Sequence, residues 1–263
     1  MQRRLGPTNV GPAGLLQILC DGAKLFTKED FVPANAVRPI FMIAPIITAA
    51  TAFIAMTAVP FFPEFEMFGY TVRPIVADVN VGIIFVMGVS GIGHYGPLLG
   101  GMSSANKWSL LGGARTAIQL LSYEVVAGLA ALSPIMMVGS LSLIDINNFQ
   151  AGGVFSWLVW TQPMAFVLFL VAGFAETNRT PFDLLEHEAE IVAGYATEYS
   201  GMRWGMFFIG EYANLFTISF LVSLIFLGGF NDLWFIPGGI AIVLKVAALI
   251  FFFLWTRASW PHI

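Results

Sequence analysis

Charge is what this sequence has least of. Only 11% of its 263 residues are Asp, Glu, Lys or Arg, less than half the roughly 25% usual in soluble domains. With 57% hydrophobic residues and a mean hydropathy of +0.80, it reads as an integral membrane protein. Cysteine is almost missing: Cys20 stands alone. That excludes an internal disulfide and any cysteine-ligated cluster held by this chain by itself. A net charge of −4 speaks against nucleic acid as a partner. The opening MQRRLGPTNVGP lacks the apolar run of a cleavable signal peptide. No Walker motif, HExxH or CxxC occurs, and His94, His187 and His262 do not form a spaced metal set. No Ser and His arrangement supports nucleophilic catalysis. Gly91 to Gly96 fits GxGxxG. It lies inside an apolar run with no strand before it, so it is not a dinucleotide site.

Long apolar runs dominate instead. Six, near 39–62, 79–101, 118–143, 157–175, 205–229 and 236–256, can cross a hydrocarbon core of about 30 Å, which takes ~20 residues each. They are too long for barrel strands, so the predicted fold is all-α: one polytopic transmembrane helical bundle over residues 1–263. Residues 1–37 form an N-terminal cytoplasmic and interfacial segment, within which 13–30 read as an amphipathic helix. Gln17, Asp21, Lys24 and Lys28 make its polar stripe, and Leu15, Leu19, Gly22 and Phe26 line another face. That suits a helix lying on the membrane, or equally one docked on the bundle. Arg3, Arg4, Lys24, Lys28, Arg38, Lys107, Arg115, Arg179, Arg203 and Arg257 fall on one side of this topology, and Arg73 alone on the other. Both termini and the 176–204 loop are therefore expected in the cytoplasm.

That loop and its margins carry an unusual load of acid: Glu176, Asp183, Glu186, Glu188, Glu190, Glu198 and Glu211. Asp183 with Glu186 makes a capping-box pattern after Pro181, and Asp183, Glu186 and Glu190 share a helical face. Like charges at that spacing repel and raise one another's affinity for protons; a solvated charged face is the plainer alternative. Inside the spans stand His94, Glu124, Glu211 and Lys245. Counted from the ends of their apolar runs, the first three lie at a common depth of roughly 9–10 Å, with Lys245 nearer the middle. Titratable groups at one depth suggest a shared hydrated cavity, since intramembrane charge usually marks a path for ions or protons. Local pairing of each group is the other reading.

Specific motifs go further than composition. Glu176-Thr-Asn-Arg-Thr-Pro-Phe-Asp183, Glu198-Tyr-Ser-Gly and Gly210-Glu-Tyr-Ala-Asn214 closely resemble the H-subunit family of proton-pumping NADH:quinone oxidoreductases, respiratory complex I. So do Gly11-Pro-Ala-Gly-Leu-Leu-Gln17, Asp21-Gly-Ala-Lys-Leu-Phe-Thr-Lys-Glu29, Asn106-Lys-Trp-Ser-Leu-Leu-Gly112, Ser122-Tyr-Glu124 and Arg257-Ala-Ser259. The resemblance runs over essentially the whole chain. The family has eight spans, so this chain is expected to begin after the first and end before the last. It departs locally, reading Gly6-Pro-Thr-Asn-Val-Gly11 and Leu185-Glu-His-Glu188 where the family has Gly-Pro-Asn-Arg-Val-Gly and Pro-Glu-Ala-Glu.

The resemblance implies a membrane subunit of the bacterial inner membrane that builds the quinone chamber with two peripheral subunits. The substrate would be ubiquinone or menaquinone, reduced by an iron–sulfur cluster in a partner; this chain would hold no cofactor and no complete active site. Antiporter-like membrane subunits would take up the proton path. By motif, Arg4, Asp21, Arg179 and Arg257 would border the quinone. Glu124, Glu176, Asp183, Glu186, Glu188, Glu190, Glu198 and Glu211 would form an acidic funnel. A homologous subunit of a membrane-bound hydrogenase or ferredoxin-dependent dehydrogenase is the nearest alternative. A stand-alone proton or ion transporter is another, but it predicts an internal repeat and a broken-helix site at the midplane.

Overall fold

The computed structural model describes residues 6–67, 70–179, 182, 193–233 and 236–260. Helix follows the apolar runs. A 3-10 turn at Pro12–Gly14 leads into α1 (Gln17–Thr27), then α2 (Arg38–Thr57), α3 (Gly82–Gly93), α4 (Tyr95–Ser103), α5 (Lys107–Val138), α6 (Leu143–Phe149), α7 (Leu158–Thr161), α8 (Pro163–Glu176), α9 (Gly201–Phe226) and α10 (Gly238–Ser259). The described strands, β1 (Phe65–Met67) and β2 (Tyr70–Val72), pair antiparallel in the connection after α2. The bundle is thus all-α across the membrane, as lipid requires. Large side chains such as Ile43, Phe53, Ile118, Leu129, Val167 and Phe251 face outward, as a lipid-facing surface allows.

Among the described residues five helices are long and apolar enough to span: α2, α3 with α4, α5, α9 and α10. The fourth predicted run, 157–175, is broken. Gln162 leaves the helix (φ −134°, ψ 56°) and Pro163 starts α8; proline has no N–H to continue the ladder. The 14 residues of α8 cover ~21 Å, short of a full crossing. Sequence also misjudged α5, predicted from 118. Asn106 caps it by accepting from the Trp108 N–H at 3.0 Å, so the helix begins at Lys107 and runs 32 residues, ~48 Å. A side-chain cap overrides the polar composition of 107–117. The depths of the buried ionisable groups change with it. Glu124 stands ~26 Å from the start of its helix, Glu211 ~15 Å from the start of α9, and His94 ~14 Å from the end of α4, so the common depth does not follow from helix ends.

The core packs small, aliphatic and aromatic side chains of α2, α3, α5, α8, α9 and α10, including Ala55, Ile83, Ala131, Phe169, Leu215 and Phe253. A second cluster joins α2 to the segment before α9: Phe41 stacks on Tyr199 with ring centroids 4.1 Å apart. Buried Gln150 ties the α6–α7 connection to the end of α9. Its amide donates to the Leu224 and Ile225 carbonyls at 3.0 and 3.2 Å, while its oxygen accepts from the Leu158 and Gly228 N–H groups.

Candidate functional site

Proline and glycine shape the first cluster. Pro97 removes the N–H that would bond the Gly93 carbonyl, so the 82–103 helix breaks between α3 and α4, with His94 at the joint. The joint aims His94 inward, where it is only 4% exposed. Its Nδ1 lies 3.4 Å from Glu124 Oε2 on α5, and its Nε2 lies 4.0 Å from Glu176 Oε1 at the end of α8. Neither nitrogen has a hydrogen-bond partner. Glu124 comes this close because residue 91 is glycine: a Cβ there would collide with its carboxylate. Cβ atoms at Gly93 and Gly96 would strike Thr51 and Thr48 of α2. The glycines that mimic a nucleotide motif serve close helix contact instead. On its other side Glu176 borders a cavity of about 20 Å³ lined also by Ser90, Asn214 and Thr217, space for about one water.

The second cluster is built by a helix terminus. Past Glu176, Thr177 is the C-cap of α8 and Asn178 turns left-handed (φ 49°). The Asn178 N–H bonds Ala175 O at 3.2 Å and the Arg179 N–H bonds Phe174 O at 3.1 Å. This pair of bonds is the Schellman ending, in which asparagine tolerates the left-handed position. The Glu-Thr-Asn-Arg string is therefore a helix stop that reverses the chain and turns Arg179 into the bundle, 1% exposed. There a guanidinium nitrogen lies 3.4 Å from Glu211 Oε1 of α9, and the group sits 4.9 Å from the centre of the Tyr212 ring. Gln119 of α5 holds the turn by donating to Phe182 O at 2.8 Å.

Other predicted residues stand apart. Glu198 accepts from Asn106 Nδ2 at 2.8 Å and so braces the cap of α5 rather than joining Glu124 and Glu176. Asp21 accepts from Gln17 at 3.0 Å on the exposed face of α1. Arg257 is in the last turn of α10, exposed. Among the described residues no ion pair joins Asp21 or Arg257 to Arg179. Lys245 is satisfied locally: its ammonium donates to Gly229 O at 2.8 Å and lies 4.4 Å from the Trp157 ring centre. Arg4, Asp183, Glu186, Glu188 and Glu190 lie outside the described residues, as does the predicted helix after Pro181.

Sequence reading missed the frame around these groups. Tyr199 donates to the Phe41 carbonyl at 3.0 Å, and burial pushes its phenol up to about 12, so it keeps its proton throughout the neutral range. The Ser200 hydroxyl donates to Glu29 O at 3.2 Å, and Arg203 pairs with Asp30 at 3.0 Å. Gly201 (φ +57°) meets the end of α1. These contacts fasten the N-terminal segment to the start of α9, beside the loop that ends in Glu198.

Similarity to known proteins agrees with this architecture. The profile of the NADH dehydrogenase family matches residues 1–263. The NADH-quinone oxidoreductase H subunit of Wolinella succinogenes is 75% identical over the full chain, which covers 80% of that relative. The corresponding H subunits of Nitratiruptor and Helicobacter hepaticus are 74% and 65% identical, with 80% and 79% of their lengths covered. Such identity over an entire five-span bundle, together with the Glu-Thr-Asn-Arg helix stop that builds both clusters, places the chain in the NADH dehydrogenase family, among the NADH-quinone oxidoreductase H subunits.

Proposed function

We propose that this chain, as a membrane subunit of NADH:quinone oxidoreductase, helps form the quinone chamber and starts the proton path that quinone reduction drives. The observation that carries the reading is the meeting of Glu124, His94 and Glu176 inside an apolar bundle. Burying one ionisable group in lipid costs several kcal/mol, and three in contact are rare without a use in moving charge. Arg179 and Glu211 add a buried cation and anion one helix away.

Reducing a quinone takes up two electrons and two protons. Until the protons arrive, negative charge stands in a site of low dielectric, where it is felt strongly by nearby carboxylates. Arg4, Asp21, Arg179 and Arg257 border the quinone in this reading. Asp183, Glu186, Glu188, Glu190 and Glu198 complete the acidic funnel in this reading. Glu124, Glu176 and Glu211 take up and release protons as the charge changes, and that change biases the neighbouring helices. The iron–sulfur cluster that supplies electrons belongs to a partner subunit, and antiporter-like membrane subunits receive the proton path. The acidic loop faces the cytoplasm, by the distribution of Lys and Arg.

Glu124→Gln in the intact enzyme tests this. The amide keeps size and hydrogen bonding but cannot carry a proton. Proton-coupled quinone reduction in membrane vesicles is expected to fall tenfold or more; an assembled enzyme with unchanged turnover and unchanged proton translocation would sink the reading.

A further inference from the structure

We infer that the His94 imidazole itself carries the proton between Glu124 and Glu176. The inference rests on the proton path proposed above and names a residue the sequence motifs do not mark. The geometry supports it in three ways. His94 presents a different nitrogen to each carboxylate, Nδ1 to Glu124 and Nε2 to Glu176. Both nitrogens are buried and neither has a hydrogen-bond partner. And among the described residues no hydrogen bond links the two carboxylates directly, while the ring touches both. Around it, α5 contributes Glu124 and α8 contributes Glu176, while Ser90 of α3 and Asn214 and Thr217 of α9 line the small cavity beside Glu176.

The step balances without a co-reactant. The ring starts with its proton on Nδ1. The Glu176 carboxylic acid gives a proton to Nε2 as Nδ1 gives its own to the Glu124 carboxylate. Glu176 ends ionised, Glu124 ends protonated, and the ring ends neutral in its other tautomer; a turn of the ring about its side-chain bonds, or passage of the next proton in reverse, resets it. The contacts of 3.4 and 4.0 Å are longer than working hydrogen bonds and close by small rotations of the two glutamates, as catalytic contacts commonly tighten in the active state.

The test uses the complete enzyme in vesicles, comparing His94→Gln, which keeps polarity without a transferable ring proton, and His94→Ala with and without added imidazole. The relay predicts a loss of at least tenfold in proton-coupled quinone reduction in both variants, with partial recovery of His94→Ala by imidazole, which a purely structural role would not give. Wild-type rates in an assembled His94→Gln enzyme would overturn it; if Glu124→Gln is slow at the same time, the wider reading of the acids survives and only the relay falls. Should neither histidine variant assemble, infrared difference spectra on a pH step decide. An imidazole signal that changes between wild type and Glu124→Gln supports the relay, and identical imidazole signals in both refute it.

Discussion

At the scale of single residues, the buried Arg179–Glu211 pair shows how position decides worth. An exposed pair contributes little, whereas removing one partner of a buried pair leaves an isolated charge and costs roughly 3–5 kcal/mol. Arg179 is almost wholly buried, so Glu211→Leu is expected to lower the thermal stability of the purified enzyme strongly. The double variant Arg179→Met with Glu211→Leu should recover most of that loss, since it removes both charges. A double variant no more stable than Glu211→Leu would show that the pair is not the source of the cost. His94 shows the limit of reading residues one at a time. Its presence in an apolar run was plain from sequence, but whether it was locally satisfied or faced two acids depended on how three helices meet, and no local pattern reports that.

At the scale of elements, helix ends position much of the candidate site. The Asn178 turn that stops α8 has a sequence sign, asparagine just past an apolar run, so this part of the site was legible in the Glu-Thr-Asn-Arg string. Asn178→Gly keeps the left-handed conformation and is expected to change melting temperature little. Asn178→Val should cost about 1–2 kcal/mol, because a β-branched residue resists that region, and it should weaken quinone reduction by turning Arg179 aside. Equal stability of the two variants would argue against the turn's role. Where sequence misled, a short local device outweighed an apolar pattern: Pro163 cut the fourth run in two, and Asn106 started α5 well before its hydrophobic stretch. The interruption at Pro97 belongs to the same class. Proline in an apolar run was visible, but that it would place a histidine between two glutamates was not.

At the scale of the whole molecule, the membrane class, the all-α bundle and the family were legible from composition and motifs, because lipid permits so few folds and long apolar runs announce themselves. The grouping of the acids was not. The resemblance implies one funnel of eight carboxylates; among the described residues Glu124 and Glu176 meet around His94, Glu211 pairs with Arg179 and Glu198 braces a helix cap, and the rest lie outside the described residues. The central claim is that Glu124 and Glu176 belong to one proton path driven by quinone reduction. The rate of proton translocation in vesicles holding the intact enzyme, measured for Glu124→Gln, Glu176→Gln and the double variant, tests this most directly. Groups acting in series predict that each single change slows translocation severely and that the double is no slower than the worse single, the non-additivity of coupled sites. Wild-type rates in either single variant, or losses that multiply in the double, would contradict it.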